Sequence, residues 1–252
     1  MNIVINGRRK MGQALLTCVP KYPTLNVVGQ FGRDGGVENV IQSADVVLDF
    51  SSHTATPALA ELCATHKRAM VIGTTGHTDA ELQRIHQSAA TIPIVMASNF
   101  SLGVNVLFWL TEKAAEKLGP DFDLEVVEMH HRDKADAPSG TAKTLAGILK
   151  SVRGGQFKAE VHRRQRGSAY VSSGRTGNVG QRDSSEIAVH AVRGGGVVGD
   201  HTVIFADDGE RVELVHKGIS REAFANGALR AVGWVVGQDP GLYNMQNVLG
   251  LR

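Results

Sequence analysis

Cysteine is scarce in this sequence, and the scarcity excludes one kind of protein. The chain has only two cysteines, Cys18 and Cys63, and each lies in an apolar stretch with a helical pattern. Small domains held together by disulfides need several such residues. We therefore expect two buried, reduced thiols and a cytoplasmic protein, with neither a disulfide framework nor a metal site.

Aromatic residues, long apolar runs and an excess of charge are also missing. Aromatics make up only 5% of the residues and the formal net charge is +2, which gives no stacking platform or strong field for nucleic acid. No apolar run approaches the ~18 residues that a membrane helix needs. The N-terminus also lacks the pattern of a signal peptide. We expect a function on small molecules, without a nucleic-acid or membrane partner.

Short continuous apolar runs alternate with helical patterns over roughly the first hundred residues. Such runs are typical of parallel strands that are buried on both faces. The runs are Ile3–Ile5, Leu25–Phe31, Val46–Phe50, Ala69–Ile72 and Ile92–Met96. Alternation of strand and helix predicts an α/β fold with a Rossmann-type, doubly wound parallel sheet.

The pattern changes after Phe100. Strand-like segments later follow one another at 187–192, 202–205 and 211–215 without helices between them, which favours a mixed or antiparallel sheet. A closing helix over 221–236 is apolar on one face and is predicted to pack on the first domain. We therefore predict a dinucleotide-binding domain formed by residues 1–101 and 221–252, with an α+β domain over 102–220 inserted in it.

A glycine turn follows the first strand and opens a helix. It contains Gly7, Arg8, Arg9, Lys10, Met11 and Gly12. Backbone N–H groups at a helix start favour an anion, so this turn predicts a pyrophosphate site, and its three cations either strengthen that site or are solvated loop charge. After the second strand, Arg33 suits the 2′-phosphate of NADP, whereas Asp34 would favour NAD. We expect NADPH in preference to NADH.

Two further loops follow the fourth and fifth strands. They are Gly73-Thr74-Thr75-Gly76 and Ala97-Ser98-Asn99-Phe100. Open parallel sheets bind ligands at the carboxyl ends of their strands. Both loops are therefore predicted to contact the ligand.

Protonatable side chains are concentrated between residues 128 and 141. His130 and His131 are followed by Lys134 and then by Ser139-Gly140-Thr141 at a predicted helix start. Such a loop can supply a proton and bind a carboxylate. Zinc is a weaker interpretation because neighbouring histidines rarely reach one ion and the segment has no cysteine. A structural role for both histidines remains an alternative.

These segments, in this order, resemble the 4-hydroxy-tetrahydrodipicolinate (dihydrodipicolinate) reductases of lysine and diaminopimelate synthesis. The similarity extends over nearly the whole chain, and the string from His130 to Thr141 is its most specific part. The resemblance implies that His130 is the acid/base group and Lys134 the proton donor. It also implies that the substrate carboxylates bind to His131, Ser139, Gly140 and Thr141.

The same resemblance implies further contacts and an assembly. The residues implied to contact the nicotinamide cofactor are Gly7 to Gly12, Arg33, Phe50, Gly73, Thr74, Thr75, Ala97, Ser98, Asn99, Phe100 and Phe224. A homotetramer is implied to form through the sheet of the inserted domain. Asn6 and Arg9 stand where the family has glycine, and Gly32 replaces an acidic residue, so cofactor affinity is expected to differ.

Two alternative functions stay open on the sequence. One is a related NAD(P)-dependent dehydrogenase of another small dicarboxylate. The other is a non-catalytic NADP-binding protein, which the unusual Asn6/Arg9 turn suggests.

Overall fold

The structure is a computed structural model that describes residues 1–32, 35–159, 169–175 and 177–251, without the side chains of 155–159. The chain divides into two compact units. The first comprises Met1–Asn105 and Arg221–Arg252, and the second comprises Val106–Ser220. Among the described residues, no helix is both long enough and apolar enough to cross a membrane.

The first unit contains a parallel sheet of six strands in the order β11-β5-β4-β3-β1-β2. The strands are β1 (Asn2–Asn6), β2 (Asn26–Phe31), β3 (Val46–Asp49), β4 (Ala69–Ile72), β5 (Pro93–Met96) and β11 (Gly241–Tyr243). The helices are α1 (Lys10–Cys18), α2 (Thr56–Thr65), α3 (Asp79–Ala89), α6 (Glu222–Val235) and α7 (Met245–Leu249). This arrangement confirms the predicted doubly wound fold.

Neighbouring side chains of each strand enter different cores. Ile3 and Ile5 of β1 belong to a cluster with Leu15 of α1 and Val232 of α6. Val4, between them, belongs to a second cluster with residues of α2 and α3. Because successive side chains point to opposite faces of a sheet, both faces are apolar and the strands have no polar alternation.

The two cysteines lie in these cores, as predicted. Cys18 and Cys63 are both fully buried and unpaired. Burial raises the pKa of the Cys63 thiol to about 12 and also raises the pKa of Cys18. Both thiols therefore stay protonated at neutral pH.

The second unit carries a mixed sheet of five strands in the order β10-β9-β6-β8-β7. The strands are β6 (Asp123–His130), β7 (Tyr170–Ser172), β8 (Glu186–Arg193), β9 (Gly199–Ala206) and β10 (Arg211–Gly218). β6 pairs in parallel with β8 and antiparallel with β9. Helix α4 (Leu102–Leu118) begins in the first unit and ends in the second, and α5 (Gly140–Ala159) lies within the second.

Three short elements are missing from the sequence-based prediction. β7, β11 and α7 contain three to five residues each, too few to give a recognisable period. Helix α5 continues to Ala159. Glycines at 154 and 155 lower the helix propensity there, and the fold overrides that weak preference.

The contact between α6 and the end of β5 is a testable constraint of the first unit. A Cβ on the buried Gly227 would lie 1.8 Å from the Phe100 carbonyl oxygen, whereas a Cβ on Gly233 of the same helix would meet open space. We expect Gly227→Ala to destabilise the protein by about 1–3 kcal/mol through overpacking. Gly233→Ala, the matched control, should stabilise it by about 0.5–1 kcal/mol. Urea unfolding measures both, and equal effects of the two substitutions would contradict the close packing.

Candidate active site

A large cavity, here called the strand-edge cavity, opens at the carboxyl ends of β1, β3 and β4. Its volume is about 1350 Å³. The described residues that line it include nine that were predicted to bind cofactor: Gly7, Arg8, Arg9, Lys10, Met11, Phe50, Gly73, Thr74 and Thr75. Three separate segments of sequence therefore meet at one site, as the positional rule for parallel sheets predicts.

The turn between β1 and α1 requires both of its glycines. Gly7 has φ +152°, and a Cβ there would lie 2.7 Å from the Phe50 carbonyl oxygen. A Cβ on Gly12 would lie 1.8 Å from the carbonyl oxygen of Gly7, so Gly12 supports the turn from below and does not line the cavity. Arg9 is the extended N-cap residue of α1, and its side chain forms no capping hydrogen bond. The start of α1 is thus suited to an external anion.

Phe50 forms an apolar wall beside this turn. A Cβ on Gly73 would lie 2.0 Å from the Phe50 ring, so the ring lies directly over that glycine. The Phe50 and Phe100 rings pack with their centroids 5.7 Å apart. Phe100 itself is buried, which makes it a support for Phe50 in this structure.

A buried carboxylate, Asp49, ties together the strand ends under the strand-edge cavity. It accepts hydrogen bonds from Asn6 Nδ2 at 2.9 Å, Thr56 Oγ1 at 2.6 Å and Thr74 Oγ1 at 2.9 Å. The Ser51 hydroxyl donates a further bond. Asp49 therefore fixes the ends of β1, β3 and β4 relative to one another, and the Asn6 side chain is turned inward to this cluster.

Besides Gly12 and Phe100, four predicted cofactor residues are not among the described residues that line the cavity. Ala97, Ser98 and Asn99 follow β5, the neighbour of β4, and the Asn99 side chain accepts a hydrogen bond from Ser101 N at 2.8 Å. Phe224 lies half-buried in the first turn of α6. Arg33, predicted to select NADPH, lies outside the described residues.

The residues of the first unit fit a nicotinamide dinucleotide. Gly7 lines the cavity without a side chain, the helix start favours a pyrophosphate, and Arg8, Arg9 and Lys10 provide positive charge. The cavity also continues over Leu59 and Leu62 of α2, which offer an apolar surface to a planar ring. Sequence reasoning did not find this α2 surface because a helix face exposed to a ligand has the same pattern as one that faces a core.

The second unit contains a histidine bound to a carboxylate. His130, at the end of β6, contacts the Glu128 carboxylate with Nδ1 at 2.6 Å. Glu128 is fully buried and His130 is nearly so. Because alternate residues of a strand share a face, both side chains point to the same side of the sheet.

Glu128 also anchors the loop that carries Lys134. Arg193 binds the two Glu128 oxygens at 2.8 and 2.9 Å and donates a further hydrogen bond to the Asp136 carbonyl at 2.6 Å. Lys134 Nζ pairs with the Asp136 carboxylate at 2.7 Å. This ammonium lowers the pKa of Asp136, so the acid is charged at neutral pH. A substrate carboxylate would therefore compete with Asp136 for Lys134.

The start of α5 lies beside the same cluster. Ser139 N donates to Glu128 at 3.0 Å, and Ser139 Oγ accepts from Ala142 N at 3.2 Å. The Ser139 hydroxyl also contacts His201 Nε2 at 3.1 Å. Gly140 is exposed and a Cβ there would meet open space, so the helix start is accessible to an anion on that side.

His201 was not predicted and packs edge-on against His130. The ring centroids are 5.2 Å apart at an interplanar angle of 75°. Burial lowers the pKa of His201 to about 4, and the nearby His130 acts in the same direction. His201 is therefore neutral at physiological pH and forms one side of the His130 pocket.

The remaining predicted residues of the second unit lie in the same loop. His131 is half-buried, and its backbone N–H donates to the Val197 carbonyl at 2.8 Å. Thr141 follows Gly140 in the first turn of α5. His130, His131, Lys134, Ser139, Gly140 and Thr141 thus lie between the end of β6 and the start of α5. Glu128 could have been found from sequence, because the strand period of two puts it on the face of His130.

The comparisons with known proteins extend over the whole chain. Residues 1–100 match the family model of the dihydrodipicolinate reductase N-terminus, and residues 103–249 match that of its C-terminus. The 4-hydroxy-tetrahydrodipicolinate reductase of Akkermansia muciniphila is 51% identical over 247 residues, covering 98% of this chain and 96% of the relative. The enzyme of the same name from Syntrophus aciditrophicus is 44% identical over 274 residues, with 99% and 98% covered.

A solved structure agrees with these matches. The dipicolinate-bound dihydrodipicolinate reductase from Paenisporosarcina sp. TG-14 aligns with a TM-score of 0.77 and 26% identity, and the alignment covers 98% of both chains. The fold and the site define an oxidoreductase that uses a nicotinamide dinucleotide. More narrowly, the chain belongs to the dihydrodipicolinate reductase family. The family, enzyme class and α/β fold predicted from the sequence are confirmed.

Proposed function

We propose that this chain reduces 4-hydroxy-tetrahydrodipicolinate to tetrahydrodipicolinate with NAD(P)H, as a step of lysine and diaminopimelate biosynthesis in the cytoplasm. The observation that carries the proposal is 51% identity to a reductase of that name over 98% of the chain. The substrate is a small dicarboxylate, and the second unit offers a lysine and a helix start that suit its two carboxylates.

In this proposal the first unit is the dinucleotide-binding domain. The start of α1 binds the pyrophosphate through backbone N–H groups, with Arg8, Arg9 and Lys10 adding positive charge. Phe50, Gly73, Thr74 and Thr75 provide the wall beside it, and by family resemblance Ala97 to Phe100 and Phe224 complete the contacts. When bound, the reduced nicotinamide supplies a hydride.

The second unit is the substrate-binding domain in the same proposal. His130 donates the proton that accompanies hydride transfer, and Lys134 stabilises negative charge and pairs with one carboxylate. The other carboxylate binds at Ser139, Gly140 and Thr141, where α5 begins, and His131 borders that position. Lys134 must leave Asp136 for the substrate, and the exchange of one carboxylate for another preserves its charge pairing.

We also propose that the sheet of the second unit forms the contact surface of a homotetramer. One face of this sheet is covered by α5, and the opposite face carries apolar side chains. Among these, Val192 is 43% exposed and Val215 is 51% exposed. Val127, Met129 and Ile204 occupy the same face by strand register. A patch of this kind is typical of an interface between subunits.

Steady-state assays with freshly generated dihydrodipicolinate test the activity and the cofactor together. We expect turnover with both nicotinamide cofactors and a higher kcat/KM with NADPH. Arg33→Ala should lower kcat/KM for NADPH about tenfold, the size of one lost charged hydrogen bond, and leave NADH little changed. Faster reduction of another small dicarboxylate, or tight NADPH binding without turnover, would contradict the proposal.

Substitutions at His130 and Lys134 test the assignment of the proton chemistry. His130→Gln should reduce kcat by ~10²–10⁴-fold, the usual contribution of a positioned acid, with cofactor binding retained. Lys134→Ala should lower kcat and raise KM for the dicarboxylate. Lys143→Ala, which removes an exposed lysine of α5, is the matched control and should behave as wild type. Normal turnover of His130→Gln would remove it from the mechanism.

Analytical ultracentrifugation tests the assembly. The chain mass of 26.9 kDa predicts a particle of about four times that mass. Val192→Asp combined with Val215→Asp places two charges in the proposed contact and should yield smaller species. Val236→Asp is the control, because Val236 is similarly exposed but belongs to the first unit. A monomeric wild type would exclude the tetramer.

A further inference from the structure

The ionised state of Glu128 determines which nitrogen of His130 carries a hydrogen. Burial raises the pKa of the Glu128 carboxyl, but hydrogen bonds from Arg193, His130 and the Ser139 N–H outweigh it and leave the pKa below its usual value. An ionised carboxylate only accepts hydrogen bonds. The 2.6 Å contact therefore requires a hydrogen on His130 Nδ1, which leaves Nε2 as the atom that exchanges protons.

Glycine keeps the Nε2 side of this ring open. A Cβ on Gly199 would lie 2.9 Å from His130 Nε2, so even an alanine would displace the ring or the start of β9. On another side the edge-on contact with His201 limits rotation of the imidazole. The ring is thus held at Nδ1, restricted at one side by His201, and bordered at Nε2 by a residue without a side chain.

The same carboxylate joins the histidine to the groups that would bind substrate. Its other contacts are Ser139 N at the start of α5 and Arg193, which holds the Asp136 carbonyl of the Lys134 loop. A shift of Glu128 would therefore move the proton donor and the carboxylate-binding groups together.

We propose that Glu128 is a positioning residue of the reductase, which holds His130 as the Nδ1–H tautomer so that Nε2 releases the proton. The proposal rests on the proposed function, because it assigns atoms to that reaction. Loss of water from 4-hydroxy-tetrahydrodipicolinate would leave the conjugated imine dihydrodipicolinate, and this would gain a hydride from the reduced nicotinamide and one proton from Nε2 to give tetrahydrodipicolinate. Neutral imidazole remains, with its Nδ1–H still bound to Glu128. Before the transfer, the carboxylate charge stabilises the imidazolium, as in other carboxylate–histidine pairs.

Nitrogen NMR of the wild-type protein tests the tautomer without any activity measurement. Protein labelled with ¹⁵N-histidine is compared with His130→Gln, which identifies the His130 signals by their loss. We expect the neutral ring to carry its hydrogen on Nδ1. A neutral ring with its hydrogen on Nε2 and a bare Nδ1 overturns the proposal.

Kinetics of Glu128→Gln test the role in catalysis. Misplacement of a catalytic group by about 1 Å can cost ~10²-fold, and we expect a fall in kcat of that order with KM for NADPH unchanged. Glu128→Asp keeps the charge but shortens the side chain and should recover part of the rate. The control is Glu61→Gln, which neutralises a carboxylate bound by two nitrogens of the Arg84 guanidinium on the surface of the first unit and should retain wild-type kcat.

The pH dependence of kcat distinguishes a positioning role of Glu128 from a purely structural role. The charged or titratable groups around His130 are Glu128 on β6, Arg193 on β8, His201 on β9, with His216 beyond it on β10, and Lys134 in the loop. Glu128→Gln removes the negative charge in direct contact with His130 and leaves the positive charge of Arg193, while another nearby acid, Asp136, stays paired with Lys134. Because His130 acts as a proton donor, the alkaline limb of kcat should move to lower pH, and Glu128→Asp should largely restore it. An unmoved limb overturns the proposal.

A second variant tests the arrangement around His130 without changing Glu128. If Glu128→Gln does not fold, Gly199→Ala replaces it, because that substitution crowds Nε2 and leaves Glu128 intact. We expect a reduced kcat for a folded Gly199→Ala, and wild-type kcat would contradict the arrangement. If the wild type shows no turnover, the proposed function fails. The tautomer of His130 is still tested, because the nitrogen NMR measurement does not require activity.

Discussion

Each unit of this protein depends on one buried carboxylate that collects hydrogen bonds from several chain segments. In the first unit Asp49 is satisfied by neutral donors, the amide of Asn6 and the hydroxyls of Ser51, Thr56 and Thr74. In the second unit Glu128 is bound by an arginine, a histidine and a backbone N–H. Both carboxylates align loops that lie far apart in sequence, and a buried acid left without such donors would be strongly unfavourable.

The different donors suit the different chemistry of the two units. The donors around Asp49 are neutral, and the cations of the glycine turn line the strand-edge cavity, where an anionic nucleotide fits. Around Glu128 the donors include the charged Arg193, which lies next to His130, the histidine proposed to donate the proton. Asn6, where the resemblance implied a departure from the family, is buried and donates to Asp49, although it also lines the strand-edge cavity. Arg9 and Gly32, the other implied departures, line the same cavity.

Much of the fold could be predicted because its strongest determinants are local. Continuous apolar strands and intervening helices identify a parallel sheet, and the change of pattern after Phe100 identifies a mixed sheet. Strands of three residues, such as β11, could not be found because they depend on a neighbouring strand and have no period of their own. The histidine loop was conspicuous in the sequence, since its chemistry is concentrated in a few positions. Glu128 could be placed on the face of His130 from the strand period, but Arg193 and His201 could not be found, because two other strands, β8 and β9, bring them there.

The burial of both native cysteines makes the molecule a convenient object for labelling. A thiol reacts as its thiolate, and neither Cys18 nor Cys63 has solvent access or an appreciable thiolate fraction at neutral pH. A cysteine introduced on the surface of each unit would therefore be the main reactive group. Spin or fluorescent probes attached there would report on each unit in the otherwise native sequence.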